Sequence, residues 1–195
     1  MRALVAFGTK YGSTVKVGEE IGRVLKEKGL EVEVVNLDER KVKDIAPYDL
    51  VVVGSAVIIG KWTKGARTFL EQNQAALRGK RLAMFACCGD VLAEAKERRE
   101  GAKARYLDQV VMDNGLKPLD LALFGGELDF NKYGFLIKAV LKDDRRHIER
   151  GGVDLSKPYD YRDWDAIRAW ARSVADEAQG YTTAGMANGT IEVGP

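Results

Sequence analysis

The feature that most constrains the fold of this chain is a regular alternation of short, β-rich runs with longer amphipathic segments. Most of the runs are apolar throughout, as strands buried on both faces are, and the segments between them carry apolar residues three or four positions apart. The predicted strands are residues 3–7, 32–37, 50–55, 81–87 and 118–124, and the predicted helices are residues 15–28, 63–77, 93–114 and 161–178. This α/β pattern predicts a doubly wound parallel sheet of five strands.

The second run differs from the others because apolar and polar residues alternate in it. Val32 and Val34 stand beside Glu31 and Glu33, a pattern typical of a half-exposed strand at the edge of a sheet. Right-handed crossovers leave few topologies, and with this strand at the edge we expect the order 2-1-3-4-5. That order has a switch point between strands 1 and 3, where a ligand crevice opens at the carboxyl ends of the strands.

The 195 residues suit one domain. We expect it to span residues 1–179, followed by a flexible tail of residues 180–195 that is rich in Gly, Thr and Ala. The connection between strand 5 and the last helix, residues 125–160, is called the insertion below. Connections of this length usually carry function or structure of their own, and residues 133–141 within it predict a short apolar helix with basic flanks.

The composition excludes several classes of protein. Lys and Arg number 31 and Asp and Glu 29, so the net charge of +2 lacks the basic excess of a nucleic-acid-binding protein. Cys87 and Cys88 are neighbours whose Cβ atoms point apart in a regular strand, so we expect no disulfide and a reducing, cytoplasmic environment. The chain shows no signal-peptide pattern, and its longest apolar stretch, residues 51–60, is too short to span a bilayer.

Residues 9–14, here called the phosphate loop, follow the first strand directly and open the first helix. The loop consists of Thr9, Lys10, Tyr11, Gly12, Ser13 and Thr14. Unpaired N–H groups at a helix N-terminus, a glycine that lets the backbone approach a ligand, and three hydroxyl groups together form a socket for a phosphate dianion. The loop is neither a Walker A sequence nor a dinucleotide-binding turn. The alternative is that Ser13 or Thr14 only caps the helix.

At this loop the sequence resembles the flavodoxins. The pattern Phe7-x-Thr9-x-x-Gly12-x-Thr14 is similar to their FMN phosphate signature, with Gly18 where that signature usually has Ala. The resemblance implies FMN as the cofactor, with the flavin between the loops that follow strands 3 and 4. These loops supply the other candidate FMN-binding residues, which are Ala56, Val57, Ile58, Ile59, Gly60, Lys61 and Trp62, and Cys87, Cys88, Gly89 and Asp90.

Several of these residues have a second interpretation. Trp62 stacks on the flavin or packs under the next helix. One thiol of the Cys87–Cys88 pair exchanges electrons with the flavin, or both are small buried residues. Asp90 contacts the flavin or caps the helix after it. Because the flavin N5 carries the hydride chemistry, we expect no catalytic side chain and no metal site, and the single histidine, His147, is expected at the surface.

Within the flavodoxin superfamily, the chain is most similar to the menaquinone-dependent protoporphyrinogen dehydrogenases, up to about residue 179. The similar blocks are the opening strand and loop, Tyr48-Asp49-x-Val51-Val52-x-Gly54 leading to Gly60, residues 133–142, and Tyr161-x-Asp163-Trp164-x-x-Ile167. The resemblance implies oxidation of a porphyrin-type substrate and transfer of electrons to a quinone. The family often has Arg and Tyr where this chain has Ile58 and Ile59, and its strand 4 loop also differs.

The charge distribution favours this enzyme over a carrier flavodoxin, because carriers are typically strongly acidic. Residues 131–150 hold six Lys or Arg and three Asp or Glu. A basic, apolar segment suits the anionic inner face of a membrane or the propionates of a porphyrin. The alternative is that its apolar residues pack on the domain or at a homodimer interface; these are Phe135, Leu136, Val140 and Leu141.

Three functions follow as hypotheses. The first is an FMN-dependent oxidoreductase with a quinone acceptor and a porphyrin-type substrate. The second is an electron-carrier flavodoxin with a protein redox partner. The third is a binding domain that has the flavodoxin fold but no flavin and no catalysis.

Overall fold

A five-stranded parallel sheet forms the centre of the molecule in the computed structural model, which describes residues 1–93 and 95–180. Its strands are β1 (Arg2–Gly8), β2 (Glu31–Asn36), β3 (Leu50–Ile58), β5 (Arg81–Cys87) and β6 (Asp120–Phe124), in the order β2-β1-β3-β5-β6. A two-residue strand, β4 (Lys61–Trp62), pairs antiparallel with the end of β3. With β5 and β6 as the fourth and fifth predicted strands, the predicted α/β fold and strand order are confirmed.

The burial of the strands follows their sequence patterns. β1 is buried from its second residue onward, and residues 50–53 of β3 are fully buried, because both strands lie between neighbours and under helices on both faces. β2 pairs only with β1 and is mostly half-buried, which confirms its predicted place at the edge.

Seven α-helices accompany the strands in the described part of the chain: α1 (Ser13–Glu27), α2 (Lys64–Leu77), α3 (Lys96–Glu100), α4 (Gln109–Asn114), α5 (Phe135–Val140), α6 (Lys142–Arg150) and α7 (Trp164–Gln179). The apolar faces of α1 and α7 pack on one side of the sheet, and those of α2 and the segment before α4 pack on the other. Side-chain oxygens of Thr63 and Asp163 accept hydrogen bonds from Ala66 N and Ala166 N and so cap α2 and α7.

The prediction of one helix over residues 93–114 is wrong. A 3₁₀ turn (Gly89–Leu92) comes first, followed by the short α3, a π-helical turn (Ala104–Asp108) and α4. The segment ends as predicted at Gly115, which adopts φ +58°. Gly101 follows α3 directly, and the arginines on either side of it reach back to Asp90. The hydrogen bonds from both arginines to the buried carboxylate of Asp90 accompany the interruption of the helix at Gly101.

The insertion has structure of its own. Strands β7 (Glu127–Leu128) and β8 (Tyr159–Asp160) pair antiparallel at its two ends, and α5 and α6 lie between them, with α5 inside the predicted apolar helix. A small core holds the segment together; it consists of Leu128, Phe130, Ile148 and Leu155. Within residues 1–93 and 95–180, no helix is both long and apolar enough to cross a membrane. The predicted tail lies almost wholly outside the described residues, which end at Gly180.

Candidate functional site

A cavity of about 280 Å³ lies at the carboxyl ends of the central strands, beside the loop that follows β1. This is the switch point of the sheet, because β1 pairs with β2 on one side and β3 on the other. The predicted site residues on its walls are Tyr11, Ser13, Ala56, Val57, Ile58, Ile59, Gly60, Cys87, Cys88, Gly89 and Asp90. The structure therefore brings parts of all three predicted loops to one cavity. Its volume is near the lower end of the roughly 300–1,000 Å³ typical of ligand pockets.

The remaining predicted residues lie elsewhere. Thr9, Lys10 and Gly12 line a shallow depression next to the cavity, while Thr14 and the exposed Lys61 line neither. Trp62 is buried in the core, where its Nε1 donates a hydrogen bond of 2.7 Å to the carbonyl oxygen of Tyr106. This placement corrects the expectation that Trp62 stacks on the flavin and supports the packing alternative.

The phosphate loop is held in a defined shape. Gly12 adopts φ +88°, which few other residues tolerate, and its N–H donates a hydrogen bond of 3.1 Å to Thr9 Oγ1. The N–H of Thr9 donates to Asp38 Oδ2 at 2.9 Å. The first N–H groups of α1 have no partner within the helix, and its first turn contains no acidic residue. The loop therefore presents donors and positive dipole to a bound anion.

Thr14 provides a direct test of whether this loop fits a phosphate. Its side chain is fully buried, and Oγ1 has no nitrogen or oxygen hydrogen-bond partner among the described residues, its polar neighbour being the weak thiol of Cys87. A buried hydroxyl without a good partner is unfavourable. A phosphate oxygen at the start of α1 would supply the missing acceptor, so the residues present fit the phosphate of FMN.

The turn between β3 and β4 forms the rim of the cavity and is strained. Ile59 and Gly60 have φ +48° and +71°, the left-handed region that a two-residue turn requires at both positions. A β-branched residue is disfavoured there. Ile59 is also 62% exposed. An exposed apolar side chain on a strained backbone at the cavity mouth makes Ile59 a candidate for contact with a ligand or partner.

The two cysteines lie on opposite faces of the sheet, in separate parts of the core. Both are free thiols. Burial raises the pKa of Cys87 to about 12 and that of Cys88 to about 11. Because only a thiolate attacks or exchanges readily, these raised pKa values favour the interpretation of both as small buried residues.

Asp90 is the centre of a polar network on the cavity wall. Its buried carboxylate accepts hydrogen bonds from Tyr106 Oη at 2.6 Å, Arg98 Nε at 2.8 Å and Arg105 Nη2 at 3.1 Å. Burial acts to raise the pKa of Asp90, but the hydrogen bonds from Tyr106 and Arg98 outweigh it, and the pKa falls below its usual value. Asp90 is thus ionised and holds Tyr106, Arg98 and Arg105 in place on the cavity wall.

Arg98 extends this network to the insertion. Its guanidinium also donates to both carboxylate oxygens of Asp144 in α6, at 2.7 and 3.2 Å. A second tie joins the insertion to the phosphate loop, where the rings of Tyr11 and Tyr133 meet edge to face with centroids 4.8 Å apart. The insertion therefore covers the cavity and is fastened at both sides.

The insertion presents different residues to the cavity and to solvent. Ile137, Leu141 and Ile148 are partly or fully buried and line the cavity, whereas Phe135 and Leu136 are 84% and 76% exposed. Of the apolar residues expected to pack on the domain, only Leu141 joins the small core of the insertion. His147, expected at the surface, is half-buried.

Sequence reasoning missed the aromatic and charged residues that complete the cavity wall. These are Arg98, Tyr106, Glu127, Phe130, Tyr133, Asp144 and Tyr161. Tyr161 reaches the cavity from just after β8, and its Oη donates a hydrogen bond of 3.3 Å to the carbonyl oxygen of Cys88. The available signal was the clustering of aromatic residues at the two ends of the insertion.

Comparisons with known proteins agree with this fold. Residues 4–148 match the family model described as flavodoxin domain. An Escherichia coli (strain K12) protein named protoporphyrinogen IX dehydrogenase (quinone) is 25% identical over 179 residues, which cover 90% of this chain and 95% of that protein. A Leishmania major protein of the same name is 21% identical over 175 residues, covering 89% of this chain and 74% of that protein.

Among solved structures, a flavodoxin from the domain Archaea has the same fold, with a TM-score of 0.55 at 14% identity over 92% of this chain and 99% of that chain. The predicted resemblance to the flavodoxin superfamily is therefore confirmed. The prediction of FMN as the cofactor is confirmed at the level of the family.

Proposed function

This chain belongs to the flavodoxin domain family, and from that premise we propose that it is an FMN-dependent oxidoreductase of the quinone-linked protoporphyrinogen dehydrogenase type. The observation that carries the proposal is a cavity lined by Tyr11 and Ser13 of the phosphate loop on one side and by the apolar, covering insertion on the other. An electron carrier needs only an exposed flavin edge, whereas an enzyme that oxidises an apolar molecule needs an enclosed space beside the flavin.

The phosphate loop would hold the FMN phosphate through the N–H groups at the start of α1 and the hydroxyls of Thr9, Ser13 and Thr14. The flavin would lie between the Ala56–Gly60 and Cys87–Asp90 segments that line the cavity. FMN supplies hydride and electron transfer when it is bound. The protein's share is to orient the ring and exclude water.

The far side of the cavity suits an apolar, flat substrate. Ile137, Leu141 and Phe130 provide apolar and aromatic surface. This surface supports a flat, largely apolar substrate of the porphyrin type.

The outer face of the insertion supports delivery of electrons to a quinone in a membrane. Phe135 and Leu136 are exposed next to Lys138 and Lys142. Exposed apolar residues beside lysines are typical of surfaces that rest on an anionic bilayer. Peripheral contact of the 131–150 segment with the cytoplasmic face of a membrane is part of the proposal.

The first experiment is an absorption spectrum of the purified full chain before and after addition of FMN. We expect flavin bands that shift on binding. A chain that takes up no FMN would contradict the proposal and favour a binding domain without catalysis.

The second experiment measures anaerobic oxidation of protoporphyrinogen with a soluble menaquinone analogue as acceptor. We expect turnover that depends on both compounds. Flavin that is reduced by a protein reductase without turnover of porphyrin or quinone would identify an electron carrier instead.

A matched pair of variants tests the substrate side of the cavity. Ile137→Ser places a hydroxyl in the apolar wall of the cavity. Lys138→Ser introduces serine at the next position, which is exposed and does not line the cavity. We expect Ile137→Ser to raise the KM for porphyrin with the Kd for FMN unchanged, and Lys138→Ser to leave the KM for porphyrin unchanged. Equal effects of the two changes would argue against a substrate wall.

A further inference from the structure

Arg162 is a buried cation directly behind the phosphate loop. It lies between β8 and α7, and its side chain is only 1% exposed. The guanidinium donates to both carboxylate oxygens of Asp160, at 2.7 and 2.6 Å, and to Glu127 Oε2 at 2.9 Å. Its carbon atom Cζ stands 4.7 Å from the centre of the Trp164 ring. The side chain is therefore held from several directions and has little freedom.

The remaining guanidinium nitrogen contacts the phosphate loop. Nη1 donates a hydrogen bond of 3.0 Å to the carbonyl oxygen of Ser13, a residue 149 positions away. Ser13 is the first residue of α1 and stands between Gly12 and Thr14. A helical carbonyl accepts one N–H within the helix, so the second lone pair of Ser13 is free for this bond. Arg162 thus fixes the Ser13–Thr14 peptide group, where the predicted phosphate loop enters α1.

Asp160 and Glu127 neutralise the charge of Arg162. We therefore expect Arg162 to affect a bound anion by fixing the shape of the loop and not by direct attraction. The fully buried hydroxyl of Thr14, next in sequence to Ser13, has only the weak thiol of Cys87 as a polar neighbour among the described residues, which independently indicates that a good acceptor is missing at this place. A shift of the Ser13 peptide would misalign the first N–H groups of α1 and Thr14 Oγ1 together, since all lie in one turn of helix.

We propose that Arg162 is a positioning residue that aligns the phosphate loop and so makes the chain select FMN over riboflavin, which has the same ring but no phosphate. The inference rests on the proposed function, because it takes FMN as the bound cofactor. It goes beyond that function by assigning the choice between the two flavins to a residue that contacts neither of them.

The experiment measures the Kd of FMN and of riboflavin for the flavin-free full chain by quenching of flavin fluorescence. The test variant is Arg162→Gln. The matched control is Arg168→Gln, which removes an arginine of α7 that also bonds α1, but through Glu20 and away from the loop. For Arg162→Gln we expect the Kd for FMN to rise about tenfold and the Kd for riboflavin to change less than about twofold. For Arg168→Gln we expect neither Kd to change by more than about twofold.

A merely structural role predicts a different result, because a loosened fold would weaken both flavins equally. Equal losses for FMN and riboflavin, or no loss for either, would overturn the inference. If Arg162→Gln does not fold, the triple variant Glu127→Gln/Asp160→Asn/Arg162→Gln is titrated in its place. The triple variant leaves no unpaired buried carboxylate. The ratio of its Kd for FMN to its Kd for riboflavin then tests the inference in the same way. A wild-type chain that binds no FMN would defeat the proposed function and this inference together, whereas normal FMN binding with an unchanged ratio defeats the inference alone.

Discussion

The two ends of the cavity are built in opposite ways. The phosphate-loop end consists of neighbouring residues between β1 and α1, and the helix behind them packs into the main core. The insertion end has a separate small core and reaches the rest of the site through contacts between side chains, among them Arg98–Asp144 and Tyr11–Tyr133. One end is therefore supported by the main core and the other by a small core of its own, a division expected if, as we propose, the cofactor stays bound and the substrate exchanges.

The largest expected effect concerns the rigid end. Thr14→Val keeps the shape of the side chain and removes the hydroxyl that has no good partner. We expect the Kd for FMN to rise about ten- to a hundredfold, the worth of a hydrogen bond to a charged group, with the Kd for riboflavin unchanged. The free energy of unfolding of the flavin-free chain should stay the same or rise, since a buried unpaired polar atom is lost. A marked fall in that free energy would mean that Thr14 has a structural role instead.

This end of the site could be predicted from the sequence because its residues are contiguous. Hydroxyls, Gly12 and a helix start stand in one run directly after an apolar strand, so local rules sufficed. The order of the sheet could also be predicted from local patterns, because it followed from the alternation in β2 and from the right-handedness of crossovers.

The other end could not be predicted because it depends on contacts between distant segments. Arg98 binds Asp144 across 46 residues, and Arg162 binds Ser13 across 149. No periodicity marks such pairs. The prediction that Trp62 stacks on the flavin was wrong for a related reason. A large aromatic residue after a strand suits either a cavity wall or the core, and only the tertiary structure shows that Trp62 Nε1 donates a hydrogen bond to the carbonyl oxygen of Tyr106.

The second prediction tests how closely α1 packs on the sheet at Gly18. A Cβ atom built on Gly18 would lie 2.4 Å from the Phe7 ring, which explains why this chain has Gly where the flavodoxin signature usually has Ala. We expect Gly18→Ala to lower the free energy of unfolding by about 1–2 kcal/mol, because overpacking exceeds the roughly 1 kcal/mol gained in helix propensity. Urea unfolding measures it. The double variant with Phe7→Leu serves as the control and should recover most of the loss of Gly18→Ala; a failure to recover would show that the ring is not the cause.

The third prediction concerns the fastening of the insertion. Asp144→Asn weakens the ion pair with Arg98, whose side chain is 44% exposed, so we expect a loss below about 1 kcal/mol. Hydrogen exchange should speed up in α5 and α6 and remain unchanged in α1. Asp143→Asn is the matched control, because this neighbouring carboxylate is almost fully exposed and lies 3.5 Å from Arg146 rather than in the network of Arg98. Faster exchange throughout the sheet would contradict the view of the insertion as a separately stabilised part.

The smallest expected effect concerns the cysteines, which lie between the two ends. Cys87→Ala/Cys88→Ala should leave FMN binding and flavin reduction unchanged, and a thiol reagent at pH 8 should modify the wild-type chain only after unfolding.

The two thiols also make the stability of the fold depend on pH in a definite direction. The unfolded chain releases these protons near pH 9.0, while burial holds them to a pKa of about 12 for Cys87 and about 11 for Cys88. The stability they contribute is therefore complete below pH 9 and is lost as the pH rises through that window. The double variant should lose less stability than the wild type between pH 9 and 11; an identical loss, or rapid modification of the folded chain, would show that the thiols are not held neutral by burial.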